Sequence, residues 1–164
     1  MSNNYTRFSN TLVGLTEDEK EWITLLCDRL NMLSSGNAGG RAASTIAALA
    51  VKLHKETPGS IEYRDDDEDG SRVWFYADEV GDPYLVGMVV HHFFKEWRKK
   101  GKDLWFLQWA DYSDQPRENE FGGGALIASK RGVQVMSTSA WIDEQLAKAT
   151  KPLMHERPRS KKKT

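Results

Sequence analysis

The apolar residues of this chain change their spacing near residue 60. Before that point they recur every three or four residues, as on one face of a helix, whereas after it they mostly alternate, as in strands. Helices followed by strands within 164 residues favour one α+β domain. We expect that domain over residues 1–150, with a helical part at 16–55 and a sheet-containing part at 60–150.

Two helices are predicted before the change in spacing. Thr16 and Glu19 form a capping box, and apolar residues follow at helical spacing as far as Leu33. A second apolar stripe runs through residues 42–55 and stops before a Pro-Gly pair. Residues 1–15 show no clear period, so we expect them to lie over the surface.

After residue 60 the sequence predicts strands on both sides of one further helix. Residues 61–63 and 72–78 flank an acidic turn, which predicts a β-hairpin. Asp82-Pro83 is a strong helix start, because Asp caps the helix and proline lacks the N–H that would stay unbonded there. A strand at 103–110 is apolar on both faces, which is typical of a central strand covered on each side. A hairpin at 123–138 and a last helix from Ser139 complete the prediction.

The predicted order of elements is α-α-β-β-α-β-β-β-α. The strand from Arg72, the helix from Pro83 and the strand from Leu104 form a βαβ unit with a right-handed crossover. We therefore expect a single mixed, mainly antiparallel sheet with a split βαβ, ferredoxin-like core and an added N-terminal helical pair.

The net charge differs in sign between residues 1–150, here called the body, and residues 151–164, here called the tail. The whole chain has 23 basic and 24 acidic side chains. Residues 151–164 hold six basic side chains and one acidic one, a net charge of +5, which leaves −6 on residues 1–150. An acidic body argues against a broad phosphate-binding face. The tail is expected to be flexible, and it is the part of the chain for which contact with nucleic acid remains an alternative.

The most specific local feature is the acidic turn, which contains Asp65, Asp66, Asp67, Glu68 and Asp69. Adjacent carboxylates repel one another and stay hydrated, so they are available to a partner with a basic surface. Asp65, Asp67 and Asp69 also match the start of a calcium loop, but Tyr76 occupies the twelfth position, where a bidentate Glu belongs. Calcium is therefore only a weak alternative, and we expect no metal.

A second cluster combines Arg117 and Glu120 with Gly122, Gly123 and Gly124. Consecutive glycines let backbone N–H groups approach a ligand closely, so this segment is a candidate small-ligand or nucleotide site. The run lacks the phosphate-loop pattern and precedes a strand rather than a helix. A bulged strand entry, or a close approach of the helix from Pro83, is the structural alternative.

Motifs of catalysis are missing from the sequence. Neither H-E-x-x-H nor G-x-S-x-G occurs. His91 and His92 are adjacent on a predicted helix and point about 100° apart, so they cannot chelate one ion together. Cys27 is the only cysteine, which favours a reducing, cytoplasmic setting. We expect no cofactor and lean against an enzyme.

Aromatic residues alternate along two of the predicted strands, at Trp74, Tyr76, Trp105 and Trp109. Some of them must be core. If helices do not cover one face of the sheet, the others form a binding patch. An exposed patch of this kind could also bind a second copy of the chain, so a homodimer is an alternative. Base stacking is a weaker interpretation, because these strands carry Asp78 and Asp111 rather than basic neighbours.

Residues 74–141 resemble small uncharacterised proteins of bacteriophages and related mobile elements. The resemblance is carried by Gly81-Asp82-Pro83, by Trp109-Ala110, by Pro116-Arg117 and by the run EFGGGA at 120–125. It covers under half of the chain and implies an accessory role in a bacterial cell, without implying a reaction.

The sequence therefore leads to three functional hypotheses. The first is a non-enzymatic protein-interaction module, with an inhibitor of a host defence protein as one concrete form. Its partner would be a host protein with a basic surface. The second is a small-ligand or nucleotide-binding domain that uses residues 117–124. The third is nucleic-acid binding through the basic tail. No stretch is apolar enough to predict a membrane span.

Overall fold

The computed structural model describes residues 4–37, 45–65, 71–98, 101–114 and 121–150. These ranges form six strands and four helices. In chain order they are β1 (Asn4–Val13), α1 (Glu17–Ser34), α2 (Thr45–Glu56), β2 (Glu62–Asp65), β3 (Arg72–Ala77), α3 (Pro83–Trp97), β4 (Leu104–Ser113), β5 (Gly122–Ser129), β6 (Gly132–Ser137) and α4 (Thr138–Thr150). The α+β class is confirmed.

The strands form one sheet in the order β2-β3-β1-β4-β5-β6. Every neighbouring pair is antiparallel, so the prediction of a mainly antiparallel sheet is confirmed, although the described strands include no parallel pair and the sheet is not mixed. Strands β3 and β4 run in the same direction, because both are antiparallel to β1, which lies between them. Helix α3 connects these two strands. The ferredoxin-like arrangement of the core is not confirmed.

Strand β1 corrects the prediction that residues 1–15 lie over the surface. Phe8 pairs with Ala77 of β3 on one side and with Trp109 of β4 on the other. Phe8 and Leu12 are buried, but Asn10 lies between them on the same face of the strand. This polar residue breaks the alternation of apolar and polar side chains by which a half-buried strand is predicted.

Asn10 also explains how β1 is joined to β4 beyond the paired register, which ends at Phe8 and Trp109. The Asn10 amide donates to the carbonyl of Phe106. The Trp105 indole donates to the carbonyl of Thr11, at 3.1 Å. The side chains of Asn10 and Trp105 thus donate to backbone carbonyls that would be paired between the strands if the β1–β4 register continued.

The core lies between one face of the sheet and helices α1, α2 and α3, which supply its buried helical residues. Alternate residues of the strands are buried on that face, including Val73, Phe75, Leu107 and Leu126. Helix α3 packs on β4, β5 and β6, and α1 packs on α2 and α3. A Cβ atom at Gly87 would lie 3.0 Å from the Leu126 side chain, so glycine lets α3 approach β5 closely.

A buried carboxylate connects three elements. The predicted capping box is present, and the Glu19 carboxylate accepts from the Thr16 N–H at 2.9 Å. The same oxygen accepts from the Arg98 guanidinium at 3.0 Å, and Arg98 also donates to the Gly14 carbonyl at 2.8 Å. Glu19 is only 5% exposed. This ion pair therefore joins the start of α1, the end of β1 and the end of α3.

We expect Glu19→Gln to lower the free energy of unfolding by about 1–3 kcal/mol, because the amide keeps the cap but leaves Arg98 without its anionic partner. Chemical denaturation would measure this. Glu21→Gln, on an exposed position of the same helix, is the matched control and should change stability by less than about 0.5 kcal/mol. Equal effects of the two substitutions would contradict the role of the ion pair.

Candidate functional site

The sheet face opposite α1 and α3 carries large apolar side chains in contact with solvent, so the prediction that the strand at 103–110 is covered on both sides is wrong. Alternation along β4 places Leu104 and Phe106 on this face, with 70% and 59% of their surfaces exposed. Phe106 lies opposite Ile127 of β5, and Ala125 of β5 lies opposite Met136 of β6. Ile127 is 45% exposed and Met136 is 49% exposed.

Register therefore joins these four residues into one surface across three strands. We call Leu104, Phe106, Ile127 and Met136 the apolar strip. Exposed apolar residues scattered singly are normal on a protein surface, whereas a contiguous group of them marks an interaction site.

The other half of the open face is built from arginine and aromatic rings. The Arg64 guanidinium of β2 lies 5.4 Å from the ring centre of Trp74 and 5.5 Å from that of Tyr76. The two rings are 4.7 Å apart, and the Trp74 indole donates to the Ser9 hydroxyl at 2.8 Å. These contacts hold flat, partly exposed rings in fixed positions.

The same arrangement recurs between β1 and β4. The Arg7 guanidinium lies 5.4 Å from the centre of the Tyr112 ring and donates to the Asp78 carbonyl at 3.0 Å. Tyr112 stacks on Tyr5 with ring centres 5.2 Å apart. We call Arg7, Arg64, Trp74, Tyr76 and Tyr112 the arginine–aromatic cluster. Its two arginines come from β1 and β2, so the sequence analysis, which lacked β1 and considered only the neighbours within each strand, missed them.

The four aromatic residues singled out in the sequence divide between the two faces. Trp74 and Tyr76 lie on the open face. Trp105 lies on the helix-covered face and is 6% exposed. Trp109 lies on that face too, packs against the core, and its indole donates to the Asp111 carboxylate at 3.2 Å.

The triple glycine opens β5 beside Trp109. A Cβ atom at Gly124 would collide with the Trp109 ring, and one at Gly123, whose φ is 141°, would collide with the Trp109 carbonyl. Gly123 is thus required by close contact with β4, and Gly124 by close contact with both β4 and β6, because the Met136 carbonyl would also collide with its Cβ atom. Arg117 and Glu120 lie outside the described residues, so the predicted ligand site at 117–124 stays a prediction.

Only one residue of the acidic turn is described. Asp65 ends β2 and forms an ion pair of 3.1 Å with Lys20 of α1, so the chain itself provides a counter-charge for it. Residues 66–69 lie outside the described ranges, as does the basic tail at 151–164. Within those ranges no cluster of three metal-ligating side chains occurs. The acidic prong and its calcium alternative both stay predictions.

A cleft of about 520 Å³ lies among α1, α2 and α3. Its apolar lining includes Trp22, Ile46, Leu49 and Trp97, and its polar lining includes His92 and Lys95. No sequence motif marks this cleft, because it exists only where three helices meet.

Burial lowers the pKa of His92 to about 4, and the nearby His91, Lys95 and Lys52 act in the same direction. His91 is itself fixed, since its Nδ1 lies 2.6 Å from the Ser129 carbonyl and must donate to an oxygen that can only accept. His92 is therefore a neutral imidazole at pH 7.

Comparisons with known proteins leave the chain unassigned to a family. No family model matches it, no curated protein matches it and no solved structure matches it. Among the described helices, none is long and apolar enough to cross a membrane.

The His92 environment predicts a loss of stability in acid. In the unfolded chain His92 takes up a proton near its ordinary pKa of about 6.5, whereas the folded chain resists protonation until about pH 4. Lowering the pH from 7 to 5 should thus cost about 1 kcal/mol through this residue, a value that allows for its partial exposure.

Denaturant titrations of the wild type and His92→Gln at both pH values would isolate this contribution. We expect the variant to lose less stability than the wild type between pH 7 and pH 5. Identical losses would show that His92 is not protected from protonation in the folded state.

Proposed function

We propose that this chain is a protein-interaction module that binds its partner with the open face of the sheet. The observation that supports this proposal is the apolar strip, in which four large side chains on three adjacent strands keep 45–70% of their surfaces exposed. Burying such a surface is the main source of free energy in protein association.

The arginine–aromatic cluster supports the same interpretation. Tryptophan, tyrosine and arginine are the residues that most often dominate binding energy at protein interfaces. In this cluster the rings and guanidinium groups already hold one another in position, so less side-chain entropy is lost when a partner orders them. The face therefore combines an apolar half with a preorganised polar half.

This mixed character favours a different protein over a second copy of the chain. Obligate homodimer interfaces are large and resemble a domain core cut in half. Interfaces between proteins that also exist apart place polar groups beside an apolar centre. The open face is of the second kind, and Arg7 and Arg64 at its polar half fit carboxylates on the partner. A guanidinium has five N–H donors, of which Arg7 uses one for the Asp78 carbonyl.

The resemblance to phage and mobile-element proteins suggests where the partner is found. In this proposal the partner is a host protein in a bacterial cell, and inhibition of a host defence protein is one concrete form of the function. The acidic residues 66–69 follow β2 in the chain, and in this proposal they contact a basic patch on the partner. This contact with a basic patch would be in addition to the contacts of Arg7 and Arg64.

The test compares two double variants with the wild type. Phe106→Ser with Ile127→Ser disrupts the apolar strip, whereas Leu25→Ser with Met32→Ser changes exposed apolar residues of α1 that are not part of the open face. Host proteins retained by each form would be identified, purified and titrated by calorimetry. We expect the strip variant to bind at least about tenfold more weakly than the wild type, and the α1 variant to bind within about twofold of it.

Three results would overturn the proposal. The first is equal binding of the purified partner by the strip variant and the wild type. The second is a wild-type dimer, measured by light scattering, that the strip variant converts to monomer, since the face would then bind a second copy. The third is salt-sensitive binding of a single-stranded oligonucleotide that Trp74→Ala abolishes, which would assign the face to base stacking.

A further inference from the structure

The cleft among α1, α2 and α3 has the size of a small-molecule site. Its volume of about 520 Å³ lies within the roughly 300–1,000 Å³ that such sites occupy. It lies on the helical side of the molecule, so the open face of the sheet does not contribute to it. An apolar lining with a few polar groups is also typical of ligand pockets.

Two indole rings make the cleft suited to a planar ligand. The Trp22 ring packs on Phe93 of the core, with ring centres 6.4 Å apart and planes tilted by 48°. That contact restricts the motion of the Trp22 ring. Trp97 is at the last position of α3 and remains 38% exposed. Aromatic rings gain most from stacked or edge-to-face contact with another ring.

The polar groups of the lining favour a negative charge on the ligand. Lys95 is exposed and supplies an ammonium group. Lys52 and Lys95 both lie close enough to His92 to lower its pKa, so two ammonium groups are available to an anion beside it. Glu96 is the one acidic lining residue among the described ones.

His92 adds a neutral hydrogen-bonding group. Its low pKa means that at pH 7 it can donate or accept without a charge of its own. An anion beside it is therefore attracted by Lys95 and Lys52, while His92 contributes a directional contact.

We infer that this cleft binds a small planar aromatic ligand that carries one anionic group, such as an aromatic carboxylate. The ring packs against Trp22 and Trp97, and the carboxylate faces Lys95 and His92. The site is independent of the proposed protein partner, so either can fail without the other.

Three indole compounds of similar size and different charge would test the inference. Indole-3-acetate is the anion, indole-3-acetamide is neutral and tryptamine is the cation. Each would be titrated into the full chain and followed by nitrogen–proton NMR, including the side-chain N–H signals of Trp22 and Trp97. We expect saturable shifts at these two signals and at α2 residues 45–49. Indole-3-acetate should bind roughly five- to tenfold more tightly than the amide, and tryptamine should bind most weakly.

A matched pair of lysine variants tests the charge. Lys95→Gln should weaken the binding of indole-3-acetate roughly fivefold and leave the affinity for indole-3-acetamide unchanged. Lys55 is exposed in the last turn of α2 and does not line the cleft. Lys55→Gln should therefore change the affinity for neither compound.

Three outcomes would overturn the inference. One is the absence of saturable shifts at Trp22 and Trp97 with indole-3-acetate. Another is shifts confined to β4 and β5, which would place the compound on the open face. The last is binding of tryptamine as tight as that of indole-3-acetate, which would contradict an anion site.

Discussion

Successive side chains of a strand point to opposite faces of the sheet, and the architecture of this protein depends on that constraint. Strand β1 lies third in the sheet and pairs on both sides. Its position ties the β2–β3 hairpin to the β4–β5–β6 meander and makes a single six-stranded surface. Helices α1 and α3 then build the core on one face, so the alternate residues of every strand are left on the other.

That division explains why the chain is rich in aromatic residues without holding them all in its core. Trp105 and Phe75 meet edge to face, with ring centres 5.9 Å apart, and are buried. On the opposite face, Trp74 and Tyr76 are ordered by Arg64 rather than by apolar neighbours. A guanidinium can lie on an aromatic face and still offer N–H groups to a carboxylate. The open face is thus preorganised before a partner binds it.

Local signals in the sequence predicted much of the fold. The capping box at Thr16 and the Asp82-Pro83 start of α3 depend on residues within one helical turn, and both are present. Strands β3, β4, β5 and β6 were predicted because their apolar residues alternate or cluster and turn residues bound them. Strand β1 was missed because Asn10 occupies an inward position, where its amide bonds to a strand almost a hundred residues away.

The candidate site was less predictable, because it depends on contacts between distant segments. Sequence alone could not show that Trp74 and Trp105 lie on opposite faces of the sheet. It also could not show that the Arg64 guanidinium lies over the Trp74 ring. The collision that Gly124 avoids involves Trp109, a neighbour set only by the pairing of β4 with β5. The helix cleft arises in the same way, from three helices that no short motif links.

The central claim is that one face of the sheet is covered and the other is open in the free chain. A soluble paramagnetic agent that speeds the relaxation of exposed methyl groups in NMR measures this directly. We predict strong enhancement for Leu104, Ile127 and Met136, and little for Leu107 and Leu126, which lie on β4 and β5 but are buried. Equal protection of both groups of methyls would mean that the face is already covered, and it would contradict the account.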